Sequence, residues 1–188
     1  MRKKYLTVIL IIFIFCFTGC MKSSSNIENY LNSGTSIDSK AKDIMPSLDD
    51  LPKNQSIAYK YTHKSFIFES DSVALIVNYD DETFKSEKDK LTKKYTYLDK
   101  NVISSFDESK YYIPEYEFSI NSYTFNVIAE DGKHNMQYPH SFGMIGTSDK
   151  KKSIAYLYFY DTDLDYIGEK NVKHPMADFV KEYFDYNF

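Results

Sequence analysis

Much of this chain alternates between apolar and polar residues with a period of two, the spacing that is typical of β-strands. The runs that follow this pattern are residues 56–70, 72–80, 112–120, 122–130, 141–148 and 153–161. Residues 72–80 are apolar on both faces, which predicts an interior strand covered on two sides. Turn signals between the later runs, such as Asn121 and the Asp-Lys-Lys-Lys stretch at 149–152, predict tight bends or hairpins.

Two segments change to a helical period. Residues 80–95 place Phe84 and Leu91 on one face, with acidic residues in the first turn and lysines in the last. Residues 174–188 have Pro175 at a first helical position, and apolar residues follow it at helical spacing. The order of elements predicts an α+β single domain: a mostly antiparallel sheet of about five to seven strands, with two amphipathic helices packed on one face.

The amino-terminal residues follow a third pattern. Basic residues at 2–4 precede an apolar run at 5–17, which is followed by Thr18, Gly19 and Cys20. This order of charged, apolar and small residues is that of a secretory signal peptide. A transmembrane helix needs about 20 apolar residues, so the run at 5–17 is too short to cross a bilayer without strain.

The stretch FTGC at 17–20 resembles the lipobox of bacterial lipoproteins, in which a cysteine after small residues is lipidated before the signal peptide is cut. The resemblance implies that Cys20 becomes the first residue, carries a thioether-linked diacylglycerol, and holds the protein on the extracytoplasmic face of the cell membrane. Phe17 departs from the family, which usually has an aliphatic residue there. The alternative is an uncleaved anchor with an ordinary Cys20. The remainder resembles, in general style only, small lipoproteins of unknown function from low-GC Gram-positive bacteria.

These patterns divide the chain into three parts. Residues 1–19 are the predicted signal peptide, 20–45 a lipidated N-terminus and flexible tether, and 46–188 a globular α+β domain. The tether prediction depends on the polar character of 20–45, and a coil of that length spans about 25–30 Å. Cys16 and Cys20 are the only cysteines, so the domain has no disulfide.

Charge and composition narrow the classes of partner. The formal net charge of −4 includes three positive charges in residues 1–19, so the remainder carries −7, which disfavours nucleic acid and anionic lipid. Arg2 is the only arginine, which removes bidentate phosphate recognition from the domain. The 18 Tyr and 14 Phe with no Trp fit the codon bias of an AT-rich genome, and an aromatic ligand surface is the alternative.

One acidic run suggests a cation site. Asp161, Asp163 and Asp165 match the first half of a calcium-binding loop, where alternating oxygens converge on one ion. The full loop needs glycine at its sixth place and glutamate at its twelfth, and Tyr166 and Val172 stand there instead. Aspartates at a strand end also form turns. We therefore predict a turn, and keep the three aspartates as candidates for a weak cation site.

No catalytic motif emerges from the sequence. The histidines, His63, His134, His140 and His174, lack the spacing of a metal motif. The stretch 143–150 is neither a nucleophile elbow nor a phosphate loop, so Gly143 and Gly146 predict a bulge or a close backbone approach. The sequence predicts no catalytic residue, no metal and no cofactor.

Two hypotheses for function remain. The first is a non-enzymatic, membrane-anchored module that binds an envelope protein or wall component, with Tyr156, Tyr158 and Tyr160 as a half-exposed contact face on one side of their strand. The second is a small envelope hydrolase that uses dispersed His, Ser and Asp residues. A pocket that joins His63 or His140 to a carboxylate and a serine would favour the hydrolase.

Overall fold

The computed structural model describes residues 20–32, 34, 36–65, 67–129, 140–169 and 171–188. Within these ranges the strands are Cys20–Ser24 (β1), Ser56–Ser65 (β2), Glu69–Asn78 (β3), Val102–Ile103 (β4), Lys110–Ile113 (β5), Glu117–Ile120 (β6), Tyr123–Val127 (β7), His140–Ser148 (β8), Ser153–Asp161 (β9) and Gly168–Glu169 (β10). The helices are Ser36–Ala41 (α1), Asp81–Lys94 (α2) and Pro175–Phe184 (α3), and 3-10 turns span Ile27–Asn29 and Leu48–Asp50.

Most of the strands form one antiparallel sheet. Its order is β1-β2-β3-β9-β8-β7-β6, and every neighbouring pair is antiparallel. The short strands β10, β5 and β4 form a second antiparallel sheet. The predicted α+β class with a mostly antiparallel sheet is confirmed, and so is the interior position of β3, which lies between β2 and β9.

Helices α2 and α3 begin, and the β6–β7 and β8–β9 hairpins turn, at the positions that the sequence predicted. The Asp80 carboxylate accepts a hydrogen bond from the Thr83 backbone N–H at 2.8 Å and caps α2. Helix α3 begins at Pro175, whose missing N–H costs nothing in a first turn. Asn121, with φ of 53°, and Lys152, with φ of 52°, adopt the left-handed conformation in the β6–β7 and β8–β9 hairpins.

Helices cover both faces of the large sheet, so the prediction that they share one face is wrong. On the first face α3 packs over Ala155, Leu157 and Phe159 in a buried apolar cluster. On the second face α2 contributes Phe84 and Leu91 to a separate cluster. The sequence could not reveal this, because each helix shows only its own apolar side and not the side of the sheet that receives it.

Residues 20–45 are not a flexible tether, which corrects the predicted domain boundary at 46. Strand β1 pairs with β2 along its whole length, from Cys20 opposite Ser65 to Ser24 opposite Tyr61. We call residues 27–51 the amino-terminal segment. Six of its apolar side chains are buried on the second face of the sheet, and they are Tyr30, Leu31, Ile37, Ala41, Ile44 and Met45. These side chains are few, but they all face the sheet. Together they bury enough apolar surface to order the segment.

Candidate functional site

Two of the three tyrosines of β9 are buried, so the prediction of a contact face at Tyr156, Tyr158 and Tyr160 is wrong for Tyr156 and Tyr158. Tyr156 is 4% exposed and Tyr158 is 2% exposed. Tyr160 is half-buried, and the Lys40 Nζ atom lies 4.1 Å from its ring centroid. Tyr156 and Tyr158 belong to the same buried cluster as the amino-terminal segment, because the segment that was expected to be a tether packs on this face.

Two tyrosine hydroxyls hold the amino-terminal segment in place, one by bonding it to the rest of the domain and one by a bond within the segment. The Tyr95 hydroxyl, at the end of α2, donates to the Ile44 carbonyl oxygen at 2.6 Å. Within the segment, the Tyr30 hydroxyl donates to the Pro46 carbonyl oxygen at 2.7 Å. Both bonds satisfy backbone oxygens that are short of water, so each tyrosine stabilises the fold of the segment as well as its packing.

Burial also changes the titration of this tyrosine cluster. Removal from water raises the pKa of Tyr59 from 10.0 to about 12. Burial raises the pKa of Tyr156 further, and the neighbouring Tyr79 and Tyr95 hydroxyls add to the effect. These raised pKa values keep the two phenols neutral well above physiological pH.

A cavity of about 730 Å³ lies between the amino-terminal segment and α2, and we call it the tyrosine cavity. Its buried lining includes Tyr30, Leu91, Tyr95 and Tyr156. Small-molecule sites in proteins are usually concave, mostly apolar and about 300–1,000 Å³ in volume. The tyrosine cavity therefore has the size and the lining of a ligand site.

The rim of the tyrosine cavity carries charges of both signs. Its ionisable lining residues, besides the tyrosines, are Lys42, Asp49, Asp50, Glu87, Lys90 and Lys94. The Lys90 Nζ atom lies 2.6 Å from the Glu87 Oε1 atom, and the Lys94 Nζ atom lies 4.9 Å from the Tyr95 ring centroid. An apolar interior below an ionic rim suits an amphiphilic ligand whose polar group remains at the mouth.

The acidic run after β9 forms the predicted turn. The Asp161 carboxylate accepts a hydrogen bond from the Asp163 backbone N–H at 2.7 Å. Burial raises the pKa of Asp161 above its usual value of 3.8. Among the residues that the structure describes, no group of three or more His, Cys, Asp or Glu side chains is placed to hold a metal ion. Asp161, Asp163 and Asp165 are thus not gathered into such a group, and they stay candidates for a weak cation site.

These three aspartates line a second cleft, of about 590 Å³, at the end of the sheet where β1 begins. Met21 of β1 lines it, together with Ile67 and Phe68 from the connection between β2 and β3. Tyr183 of α3 also lines it. We call this the β1-end cleft. The β1-end cleft differs from the tyrosine cavity because the apolar side chains of Met21, Ile67 and Phe68 in its lining are strongly exposed.

The structure brings one serine, one aspartate and one histidine into a row, in an order that does not suit a hydrolase. The β-sheet register places Ser70 opposite Asp161, and Asp161 opposite His140. Because two strand spacings separate Ser70 from His140, their backbones are roughly 10 Å apart. A nucleophile needs its base within hydrogen-bond reach, with the carboxylate on the far side of the histidine. The His140 Nδ1 atom instead contacts the Leu164 carbonyl oxygen.

His63 also lies beside a carboxylate. Its Nδ1 atom is 3.0 Å from the Asp71 Oδ1 atom, which also accepts a hydrogen bond from the Tyr61 hydroxyl at 2.6 Å. This group joins β2 to β3 across their ladder. His174 precedes α3 in a left-handed conformation, and His134 lies outside the described residues. Among the described residues, the side-chain bonds of this His63 group join Tyr61, His63 and Asp71 and include no serine.

Sequence reasoning missed the residues that form the tyrosine cavity, although one signal was present. Ile37, Ala41, Ile44 and Met45 are separated by four, seven and eight positions, which is helical spacing. Only the first part of this stretch is helical, since α1 ends at Ala41. The spacing nevertheless places all four side chains in the second cluster.

Neither a search for membrane-spanning helices nor comparison with known proteins assigns a function to these sites. None of the helices in the described part of the chain is long and apolar enough to cross a bilayer. Comparison of the chain with protein-family models, with curated proteins and with solved structures gives no match.

Proposed function

We propose that this chain is a lipid-anchored extracytoplasmic binding protein, attached to the membrane through Cys20, that takes a small amphiphilic ligand in the tyrosine cavity. The observation that carries the binding role is the cavity itself, about 730 Å³ in volume, with buried aromatic walls and a rim that includes Lys42, Lys90 and Lys94. The FTGC motif after a short apolar run supports the anchor.

A non-enzymatic role is supported by the chemistry of the cavity. Its buried polar groups are tyrosine hydroxyls and the largely buried Glu87 carboxylate, which lies 2.6 Å from the Lys90 Nζ atom. Burial raises the pKa of Tyr30 and Tyr156 above the usual value of 10.0. No histidine or serine hydroxyl stands among its buried lining residues, and Ser47, which does line it, is exposed and accepts a hydrogen bond from the Asp49 backbone N–H. With its largely buried carboxylate paired to a lysine in this way, the cavity is suited to bind and orient a molecule.

Metabolic labelling tests the anchor. Cells that express the full chain are supplied with an alkyne-bearing palmitate, and the protein is examined for label and for sedimentation with membranes. We expect the parent protein to be labelled and the Cys20→Ala variant to lose the label. Cys16→Ala is the matched control and is expected to keep it. Label that persists in Cys20→Ala would contradict the anchor.

A fluorescent amphiphile tests the cavity. Because both apolar clusters lie within residues 30–188, a chain that begins at residue 20 and carries Cys20→Ser retains the whole core. We expect this protein to bind 1-anilinonaphthalene-8-sulfonate, whose sulfonate suits the lysines of the rim. Asn32→Trp, at the cavity lining, is expected to weaken binding at least about tenfold by filling the space. Asn101→Trp, on another exposed loop, is the control. Equal binding by the two variants would contradict the cavity as the site.

A further inference from the structure

The most exposed large apolar side chains in the described residues lie together at one end of the sheet. Ile67 is 74% exposed, Met21 is 60% exposed and Phe68 is 55% exposed. All three line the β1-end cleft. Single exposed apolar residues are common on protein surfaces, but neighbouring ones form a patch that marks a contact surface.

The connection that carries two of these residues has an unusual composition. Ile67 and Phe68 lie between β2 and β3, and the two strands pair directly on either side of them, with Ser65 opposite Glu69. Tight hairpin connections ordinarily carry Gly, Asn or Asp, whose backbones adopt the turn and whose side chains tolerate water. Apolar side chains at this tip gain nothing from the core, so they point to a surface outside the domain.

The register of β1 places the start of the domain at the same end. Cys20 pairs with Ser65, the last residue of β2, and Ser65 is two residues before Ile67. Opposite residues in an antiparallel pair have Cα atoms about 4.5–5.5 Å apart. An attachment at residue 20, or an anchor that precedes it, therefore reaches the domain beside the exposed apolar tip.

We propose that Met21, Ile67 and Phe68 form a membrane-contacting surface that inserts into the lipid surface beside the attachment point and holds the domain in one orientation. This inference rests on the proposed function, because it takes Cys20 as the point of attachment. The position of residue 20 favours lipid as the partner of this surface. Attachment there brings this end of the sheet to the bilayer, whatever else the domain binds.

The charges around the surface indicate that the contact is apolar. Glu69, Asp163 and Asp165 lie on or beside the cleft and oppose an anionic bilayer. Lys64 is engaged within the domain, because its Nζ atom lies 3.6 Å from Glu182 and 4.4 Å from the Tyr183 ring centroid. We therefore expect insertion into zwitterionic lipid, with little dependence on salt.

The opposite end of the sheet supplies an internal reference. The turn at 149–152 joins β8 to β9, and β9 runs nine residues from Ser153 to Asp161. At about 3.4 Å per residue, this turn lies roughly 27 Å from the β1-end cleft. The domain has no tryptophan, so a single introduced tryptophan at either end reports on that end alone.

The experiment uses the full lipidated chain in vesicles of phosphatidylcholine with brominated acyl chains, which quench tryptophan by contact. Ile67→Trp reports on the proposed surface, and Lys150→Trp on the far turn. Vesicle flotation and the mass of the residue 20 peptide are measured on the same samples. We expect both variants to float, the fluorescence of Ile67→Trp to fall at least about twofold, and that of Lys150→Trp to stay unchanged.

Two results would overturn the inference while leaving the anchor in place. In the first, both proteins float and Ile67→Trp is quenched no more than Lys150→Trp. In the second, Ile67→Trp emits at shorter wavelength without quenching, which means that protein, such as a second copy of the chain, covers the tip. If neither variant floats and residue 20 carries no lipid, the proposed anchor itself fails, and the inference fails with it.

Discussion

The Ile44 side chain packs directly on the backbone of Gly143. A Cβ atom built at residue 143 would lie only 2.7 Å from the Ile44 Cγ2 atom, well inside van der Waals contact. Gly143 lies in β8 and Ile44 in the amino-terminal segment, so this contact joins the segment to the sheet. The close backbone approach that the sequence predicted at Gly143 and Gly146 is confirmed, and at Gly146 the neighbour is the Phe125 ring.

Gly143→Ala is expected to destabilise the domain by about 1–3 kcal/mol, because the added methyl group forces Ile44 away from the sheet. Ile44→Ala alone is expected to cost about 2–4 kcal/mol through the cavity it leaves. The double variant should cost clearly less than the sum, because the smaller side chain leaves room for the new methyl group. Urea denaturation measures all three free energies of unfolding, and strict additivity would show that the two residues are not coupled.

Tyr95→Phe removes the hydroxyl that donates to the Ile44 carbonyl oxygen. The carbonyl group then stays buried without its partner, so we expect a loss of about 1–3 kcal/mol in the free energy of unfolding. Tyr116→Phe is the matched control, because Tyr116 is exposed, and its effect should be within about 0.5 kcal/mol of zero. Equal stability of the two variants would mean that the bond to Ile44 contributes nothing.

The buried tyrosines predict a loss of stability in alkali. The pKa of Tyr59 is raised from 10.0 in the unfolded chain to about 12 in the folded domain, with burial as the main cause. Above pH 10.0 the unfolded chain therefore binds fewer protons than the folded domain, so stability falls as pH rises toward about 12. The free energy of unfolding of Tyr59→Phe should fall less steeply in this interval. Parallel profiles for the parent and the variant would refute the assignment to Tyr59.

Asp161 predicts a second pH dependence, on the acid side. Burial raises its folded pKa above the ordinary value of 3.8, so the folded domain binds more protons than the unfolded chain just above that value. Stability contributed at this site therefore decreases as pH rises from 3.8 through the folded pKa. Asp161→Asn should gain stability relative to the parent across that interval, and Asp99→Asn, at an exposed position, should not. A constant difference between Asp161→Asn and the parent would contradict the raised pKa.

The strongly periodic elements could be predicted from sequence because their signals are local. Phe84 and Leu91 recur at helical spacing after the cap at Asp80, and Pro175 marks the start of α3. The pairing of β3 with β9 joins residues about eighty positions apart, and nothing in either strand specifies that partner. The sides of the sheet taken by α2 and α3 are hidden in the sequence for the same reason.

A single wrong assignment led to the wrong prediction for the tyrosines of β9. Residues 20–45 contain many polar side chains, and this composition outweighed the helical spacing of Ile37, Ala41 and Ile44, so a tether was predicted. Without that segment one face of the sheet had no cover, so Tyr156 and Tyr158 were expected to be half-exposed. The tyrosine cavity combines side chains from the segment, α2 and β9, and only the folded chain brings these three together.

Strand β1 begins at Cys20, so the attachment proposed at that residue would leave no coil between the lipid and the sheet. A free coil of about 25 residues would let the domain search a shell of roughly 25–30 Å above the bilayer. A domain attached directly at Cys20 stays against the bilayer and does not move through that shell. The mouth of the tyrosine cavity then stays within one domain length of the lipid, so any ligand or partner has to arrive at the membrane surface.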